Sequence, residues 1–114
     1  MHEISVAASL IEIVLDTAKS NNAGKVTKVF VKIGRLAGIE KDALFFAYDA
    51  IKDEYELIKD SEMIIDDVLI TGKCNKCGKT DTYDEMFFAC SSCGSFEVEL
   101  LTGEEMSITE IEVD

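Results

Sequence analysis

Apolar residues near the start of the chain recur at helical spacing. Ile4, Ala8, Ile11, Leu15 and Ala18 fall at steps of four and three, with Val14 widening the stripe and Glu12, Asp16 and Lys19 opposite. The pattern predicts an amphipathic helix over 3–20, stopped by Asn21-Asn22-Ala23-Gly24, where Gly24 is free to turn left-handed. The period then changes to two. Thr27, Val29, Val31 and Ile33 alternate with Lys28, Phe30 and Lys32, which predicts a strand over 25–34 with one buried face. A loop from Gly34 to Gly38 leads to Glu40-Lys41-Asp42, whose acids suit the first turn of a second helix. Leu44, Tyr48, Ile51 and Tyr55 trace its buried stripe, broadened by Phe45 and Ala47. A second strand is expected over 62–70 and a third over 104–114. In the third, the apolar phase shifts between Met106/Ile108 and Ile111/Val113, as at a bulge or a sheet edge.

Helix, strand, helix, strand, cysteine-bearing segment, strand is an α+β order. It fits a small three-stranded sheet with two helices, plus an inserted zinc-ribbon-like module. The expected division is an α/β domain of residues 1–71 and 104–114 with an inserted module of residues 72–103. Thr71-Gly72 and Thr102-Gly103 would join the two, in a monomer or a homodimer.

The inserted segment carries the strongest chemical signal. Cys74-Asn-Lys-Cys77-Gly78 and Cys90-Ser-Ser-Cys93-Gly94 are two copies of C-x-x-C-G, twelve residues apart. A two-residue spacer lets one tight turn aim two thiolates at a single ion, and the glycine lets the turn bring amide N–H groups back toward sulfur. Four thiolates make a closed, soft, tetrahedral site, which suits structural Zn²⁺ and leaves no position for hydrolytic chemistry. Rubredoxin-type iron sites use similar knuckles, but in whole small domains packed with prolines and aromatics. This segment is an insertion in a chain without proline or tryptophan. Phe87 and Phe88, in a possible hairpin over 80–89, offer too small a core to fold the module without metal.

Charge narrows the partners. The 114 residues carry a formal net charge of −12, and from Thr80 to Asp114 there are ten acids and no base. Such a surface repels phosphate backbones, so nucleic acid is not an expected partner. The apolar run from Ile4 to Leu15 is too short and too polar to span a bilayer, and it lacks the marks of a secretory signal. A cytoplasmic protein with reduced thiols is the expectation, which also favours metal over disulfides. With every cysteine assigned to zinc, the only histidine at position 2 and no phosphate-binding glycine loop, the chain lacks the usual inventory of an enzyme.

That histidine gives the second candidate site. In Met1-His2-Glu3, the imidazole, the His2 amide and the Met1 α-amine are neighbouring nitrogens, a set that suits square-planar Ni²⁺ or Cu²⁺. Glu3 could add an oxygen donor or simply occupy the first turn of the helix.

Taken together, the Met1-His2-Glu3 start, Ser5, the strand ending at Gly34, Gly38-Ile39-Glu40, the paired knuckles and the ending Gly103-Glu104-Glu105-Met106 through Ile111-Glu112-Val113 resemble the HypA-type hydrogenase nickel-incorporation metallochaperones. The resemblance runs over essentially the whole chain. It implies one Ni²⁺ at the amino terminus and one structural Zn²⁺ in the inserted domain. It also implies delivery of nickel to the apo large subunit of NiFe-hydrogenase, alongside a nickel-binding GTPase, with urease a recipient for some members. By position, His2 is the nickel ligand, with the Met1 amine and Glu3 as companions and Glu40 in the vicinity. Cys74, Cys77, Cys90 and Cys93 are the zinc ligands. Ser91 stands where many members carry proline, and no histidine flanks the cysteines. The competing reading is a zinc-ribbon adaptor that binds only protein.

Overall fold

A computed structural model describes residues 3–84 and 87–114 of the chain. In chain order its elements are α1 (Glu3–Ser20), β1 (Val26–Gly34), α2 (Lys41–Lys52), β2 (Glu62–Val68), β3 (Ile70–Cys74), β4 (Thr80–Tyr83), β5 (Val98–Thr102) and β6 (Met106–Val113). They form two three-stranded sheets, ordered β2–β1–β6 and β4–β3–β5. The chain divides into two compact units. One is Met1–Val31, Gly38–Asp66 and Ser107–Asp114, and the other is Lys32–Ala37 and Asp67–Met106.

The first unit holds both helices. α1 packs on α2 and buries Val6, Ala7, Leu10, Ile11, Val14 and Ala18. The buried stripe is therefore rotated from the expected one, since Ala8 is exposed and Ile4 is 70% exposed. The cause lies in the sequence. α1 carries large apolar residues on more than one face, Ile4 and Ile13 among them, so period alone cannot choose the central row. Its end differs in the same local way: the left-handed residue is Asn22, at φ 55°, rather than Gly24, and the Ala23 N–H closes back on Ala18 O at 2.9 Å.

β1 alternates as expected, burying Val29, Val31 and Ile33 with Lys28 and Lys32 exposed. In α2, Glu40 is the N-cap, its carboxylate accepting from the Asp42 N–H at 2.9 Å. Leu44, Ala47 and Tyr48 are buried, whereas Tyr55 lies past the helix end and is exposed. The expected strand over 62–70 is two strands, β2 and β3, parted at the exposed Leu69. Its lost alternation was the trace of that break. β6 lies at a sheet edge, and Thr109 and Glu110 are exposed in succession where the apolar phase shifts.

Tyr48 is fully buried, so its phenol must find a partner within the fold. Tyr48 Oη and Ser61 Oγ are 2.6 Å apart, Ser61 Oγ donates to Ile58 O at 2.6 Å, and Lys52 Nζ donates to Ser61 O at 2.8 Å. Burial pushes the Tyr48 phenol above its ordinary 10.0, the bond to Ser61 working against it. A phenol raised in the folded state stabilises the fold fully below the unfolded value, and that contribution is lost as pH rises through the folded one. Tyr48→Phe is expected to cost about 1–2 kcal/mol near neutral pH and to remove this phenol's share of the alkaline loss. Thermal melts of both proteins across alkaline pH check both effects.

Candidate metal centre

The second unit is built around the cysteines. β3 pairs antiparallel with β4, from Ile70↔Tyr83 to Lys73↔Thr80, and with β5 on its other side, reaching Cys74↔Val98. This places Cys74 at the end of the central strand and the first knuckle in the β3–β4 connection. The second knuckle precedes β5. Phe88 stacks edge-on against Tyr83 at 5.3 Å and Phe87 against Phe96 at 5.7 Å, but Phe87 and Phe96 remain largely exposed. The aromatic content of the unit is a thin cover rather than a core.

Both knuckles fold the same way. Gly78 N–H donates to Cys74 O at 2.8 Å and Gly94 N–H to Cys90 O at 2.9 Å. Each glycine sits at a positive φ, 80° and 77°, where a side chain would be strained. The amide N–H groups of Lys76 and Cys77 donate to the Cys74 sulfur, and those of Ser92 and Cys93 to the Cys90 sulfur. Lys79 and Ser95 amides serve Cys77 and Cys93 in the same relation. These donors supply partial positive charge to sulfur.

The four sulfurs converge. All lie within 4.8 Å of one another, with Cys74–Cys93 at 3.6 Å and Cys77–Cys90 at 3.5 Å. Four ligands at ~2.3 Å from one tetrahedral ion would stand ~3.8 Å apart, so the spacing suits zinc. It is far too long for a disulfide bond of about 2.05 Å. Without an ion the thiols share protons unevenly. The amides of Cys93 and Ser92 bring Cys90 down to about 6. At Cys77 the Lys79 amide favours the thiolate, but thiol neighbours led by Cys90, together with burial, outweigh it and push the group up to about 11. A divalent ion removes the conflict by favouring four thiolates at once. Cys74 and Cys90 are buried, while Cys77 and Cys93 reach the surface.

Of the residues expected near nickel, Met1 and His2 lie outside the described residues. Glu3 and Glu40 meet: the Glu40 backbone N–H donates to Glu3 Oε2 at 3.1 Å. The Glu40 carboxylate, turned to the Asp42 N–H, stands at the same corner. Thus the first turn of α1 and the N-cap of α2 share one acidic corner, bridging 37 positions of sequence.

A two-helix, two-sheet α+β protein with a four-cysteine zinc cluster is the class that fold and site define. The comparisons with known proteins agree. Residues 1–113 match the family described as hydrogenase/urease nickel incorporation, metallochaperone, HypA. The hydrogenase maturation factor HypA of Psychromonas ingrahamii is 39% identical over 114 residues, covering 100% of this chain and 99% of that one. That of Aquifex aeolicus is 35% identical, covering 100% and 98%. The solution structure of the nickel metallochaperone HypA from Helicobacter pylori superposes with a TM-score of 0.70 at 30% identity, covering 99% of this chain and 97% of that one. The chain belongs to the HypA family of nickel metallochaperones for hydrogenase maturation.

Among the described residues, no helix is long and apolar enough to cross a membrane. The contact between Glu3 and the Glu40 amide was missed by sequence reasoning, which placed both residues near nickel without joining them. The tie between the knuckles from Ser91 Oγ to the Asp81 carboxylate was missed as well. The only local signal for it was a hydroxyl residue inside a turn.

Proposed function

We propose that the chain binds one Ni²⁺ at its amino terminus and delivers it to the apo large subunit of NiFe-hydrogenase, working with a nickel-binding GTPase. Urease is the second recipient class. The observation that carries this reading is the acidic corner at the foot of α1. The Glu3 carboxylate accepts from the Glu40 amide, and Glu3 directly follows Met1-His2 in a chain whose only histidine is His2. In this reading Glu3 contributes its charge or an oxygen donor, and Glu40, whose amide it holds, is a further candidate donor. The Met1 amine, the His2 imidazole and the His2 and Glu3 amides supply the planar nitrogens.

The job is carriage rather than catalysis. A shallow site at a chain end leaves nickel open to ligand exchange, and a recipient offering thiolates draws the ion away. Residues 1–71 and 104–114 act as the nickel-binding domain, and residues 72–103 as a zinc-held module that presents a rigid docking surface. The alternative, a zinc-ribbon adaptor, predicts zinc alone and indifference to the amino terminus.

Protons compete with nickel for the imidazole and the amine, so affinity is expected to fall as pH drops through about 6.5. Calorimetric titration of Ni²⁺ at about pH 7.5 and about pH 5.5 tests this, and at least a tenfold weaker association is expected at the lower value. Equal affinity at both would rule out an imidazole–amine site. One extra residue ahead of Met1 should likewise weaken binding, since it moves the free amine out of the chelate.

A further inference from the structure

The two knuckles are tied across the metal site by bonds related to each other by position. Asn75, the second residue of the first knuckle, donates its backbone N–H to Glu97 O at 2.8 Å. Glu97 lies four residues beyond Cys93. The matching position in the second knuckle is Ser91, and the matching partner, four residues beyond Cys77, is Asp81. Here the tie is made by side chains. Ser91 Oγ donates to Asp81 Oδ2 at 2.5 Å and accepts from Lys79 Nζ at 2.8 Å. The other carboxylate oxygen of Asp81 accepts the Thr82 N–H at 3.0 Å, and Lys79 Nζ stands 3.9 Å from Oδ2. Every polar end of the set is occupied, and the Ser91–Asp81 bond has the short length of a charge-assisted one. These contacts, Ser91 first, hold the Asp81 carboxyl below its ordinary value.

Ser91 immediately precedes Ser92 and Cys93, whose amides point at the Cys90 sulfur. Fixing Ser91 therefore fixes the turn that carries Cys90 and Cys93, which the Gly94 N–H to Cys90 O bond closes. We propose that Asp81 and Lys79, acting through the Ser91 hydroxyl, form a metal-independent latch that closes the second knuckle and sets the rate at which zinc leaves the four-cysteine site. Zinc escapes only when a sulfur swings away long enough for a competitor to enter, and the latch opposes that swing. In a nickel carrier the consequence is separation of two metals, because four thiolates would also accept nickel once a knuckle opened. The residues concerned are positioning residues and touch no metal.

The test is zinc release from the full-length, zinc-loaded protein to excess 4-(2-pyridylazo)resorcinol, followed by the absorbance of the dye complex. Ser91→Ala and Asp81→Asn are each expected to speed release about fivefold, a value set low because the bonds are partly exposed. The double variant should be no faster than either single one, since both open the same latch. Ser91→Thr, which keeps the hydroxyl, should restore the slow rate. Amide exchange in β3 and β5 of the loaded protein should be unchanged, which separates a latch from general loosening. Unaltered release in Ser91→Ala and Asp81→Asn would overturn the proposal. So would multiplying effects, or a threonine variant as fast as alanine. Should Ser91→Ala fail to load zinc, Asp81→Asn, with the shape of the native side chain, decides the question alone.

Discussion

Cys90→Ser is expected to cost the protein its zinc and to unfold the β4–β3–β5 sheet, while the unit that buries Tyr48 and Val14 keeps its structure. The second unit has little else to hold it. Its strands run four or five residues, Phe87 and Phe96 are about 70% exposed, and its buried side chains include the two cysteines Cys74 and Cys90. Zinc binding to such modules is worth on the order of 10 kcal/mol, comparable to the whole stability of a small domain. Serine offers a poor ligand at one corner and leaves three thiols with no fourth sulfur to complete the tetrahedron. Nuclear magnetic resonance with a zinc assay checks the outcome. The amides of residues 70–102 should collapse to unstructured shifts, and those of α1 and α2 should persist. Dispersed module signals in a zinc-free variant would show that apolar packing suffices there.

Gly34→Ala is the second substitution with a large expected effect. The Gly34 N–H donates to Glu105 O at 2.8 Å, and the Leu36 N–H donates to Gly103 O at 2.7 Å. These bonds draw two stretches of backbone so close that a Cβ on Gly34 would stand 2.0 Å from Gly103 O and 2.1 Å from Gly103 C. Backbone cannot rotate away as a side chain does, and Gly103 is itself held at a φ of 128° that suits only glycine. The expected cost is at least about 3 kcal/mol, a fall in melting temperature of upwards of about 10 °C. A calorimetric melt of the zinc-loaded variant measures it. A change within a degree or two would mean that the two strands part easily.

Much of this was legible in the chain. The change from period 3.6 to period 2 near Gly24 located α1 and β1, and the acids at 40–42 located the start of α2, because both signals are local. The cysteine spacing located the metal centre for the same reason: each knuckle is one turn, and the twelve intervening residues need only bring two turns together. What escaped depended on tertiary choice. The face α1 buries is decided by its neighbour, and the exposed Ile4 is apolar enough to mislead. The break at Leu69 divides one apolar stretch between two sheets, and the lost alternation there gave no sign of which residues each sheet would take. Glu3 meets the Glu40 amide across 37 residues, and Ser91 meets Asp81 across ten, through side chains whose types are ordinary surface types. Candidate nickel chemistry was suggested by residue type and position, whereas the contact between Glu3 and the Glu40 amide is visible only in the folded chain.

The measurement that bears most directly on the account is metal content and Ni²⁺ titration of the protein with a free, untagged amino terminus, set beside His2→Ala. One tightly held zinc is expected in both proteins, with one exchangeable nickel in the parent that disappears in the variant. Nickel binding that survives His2→Ala, or never appears in the parent, would contradict it and leave a zinc-ribbon adaptor.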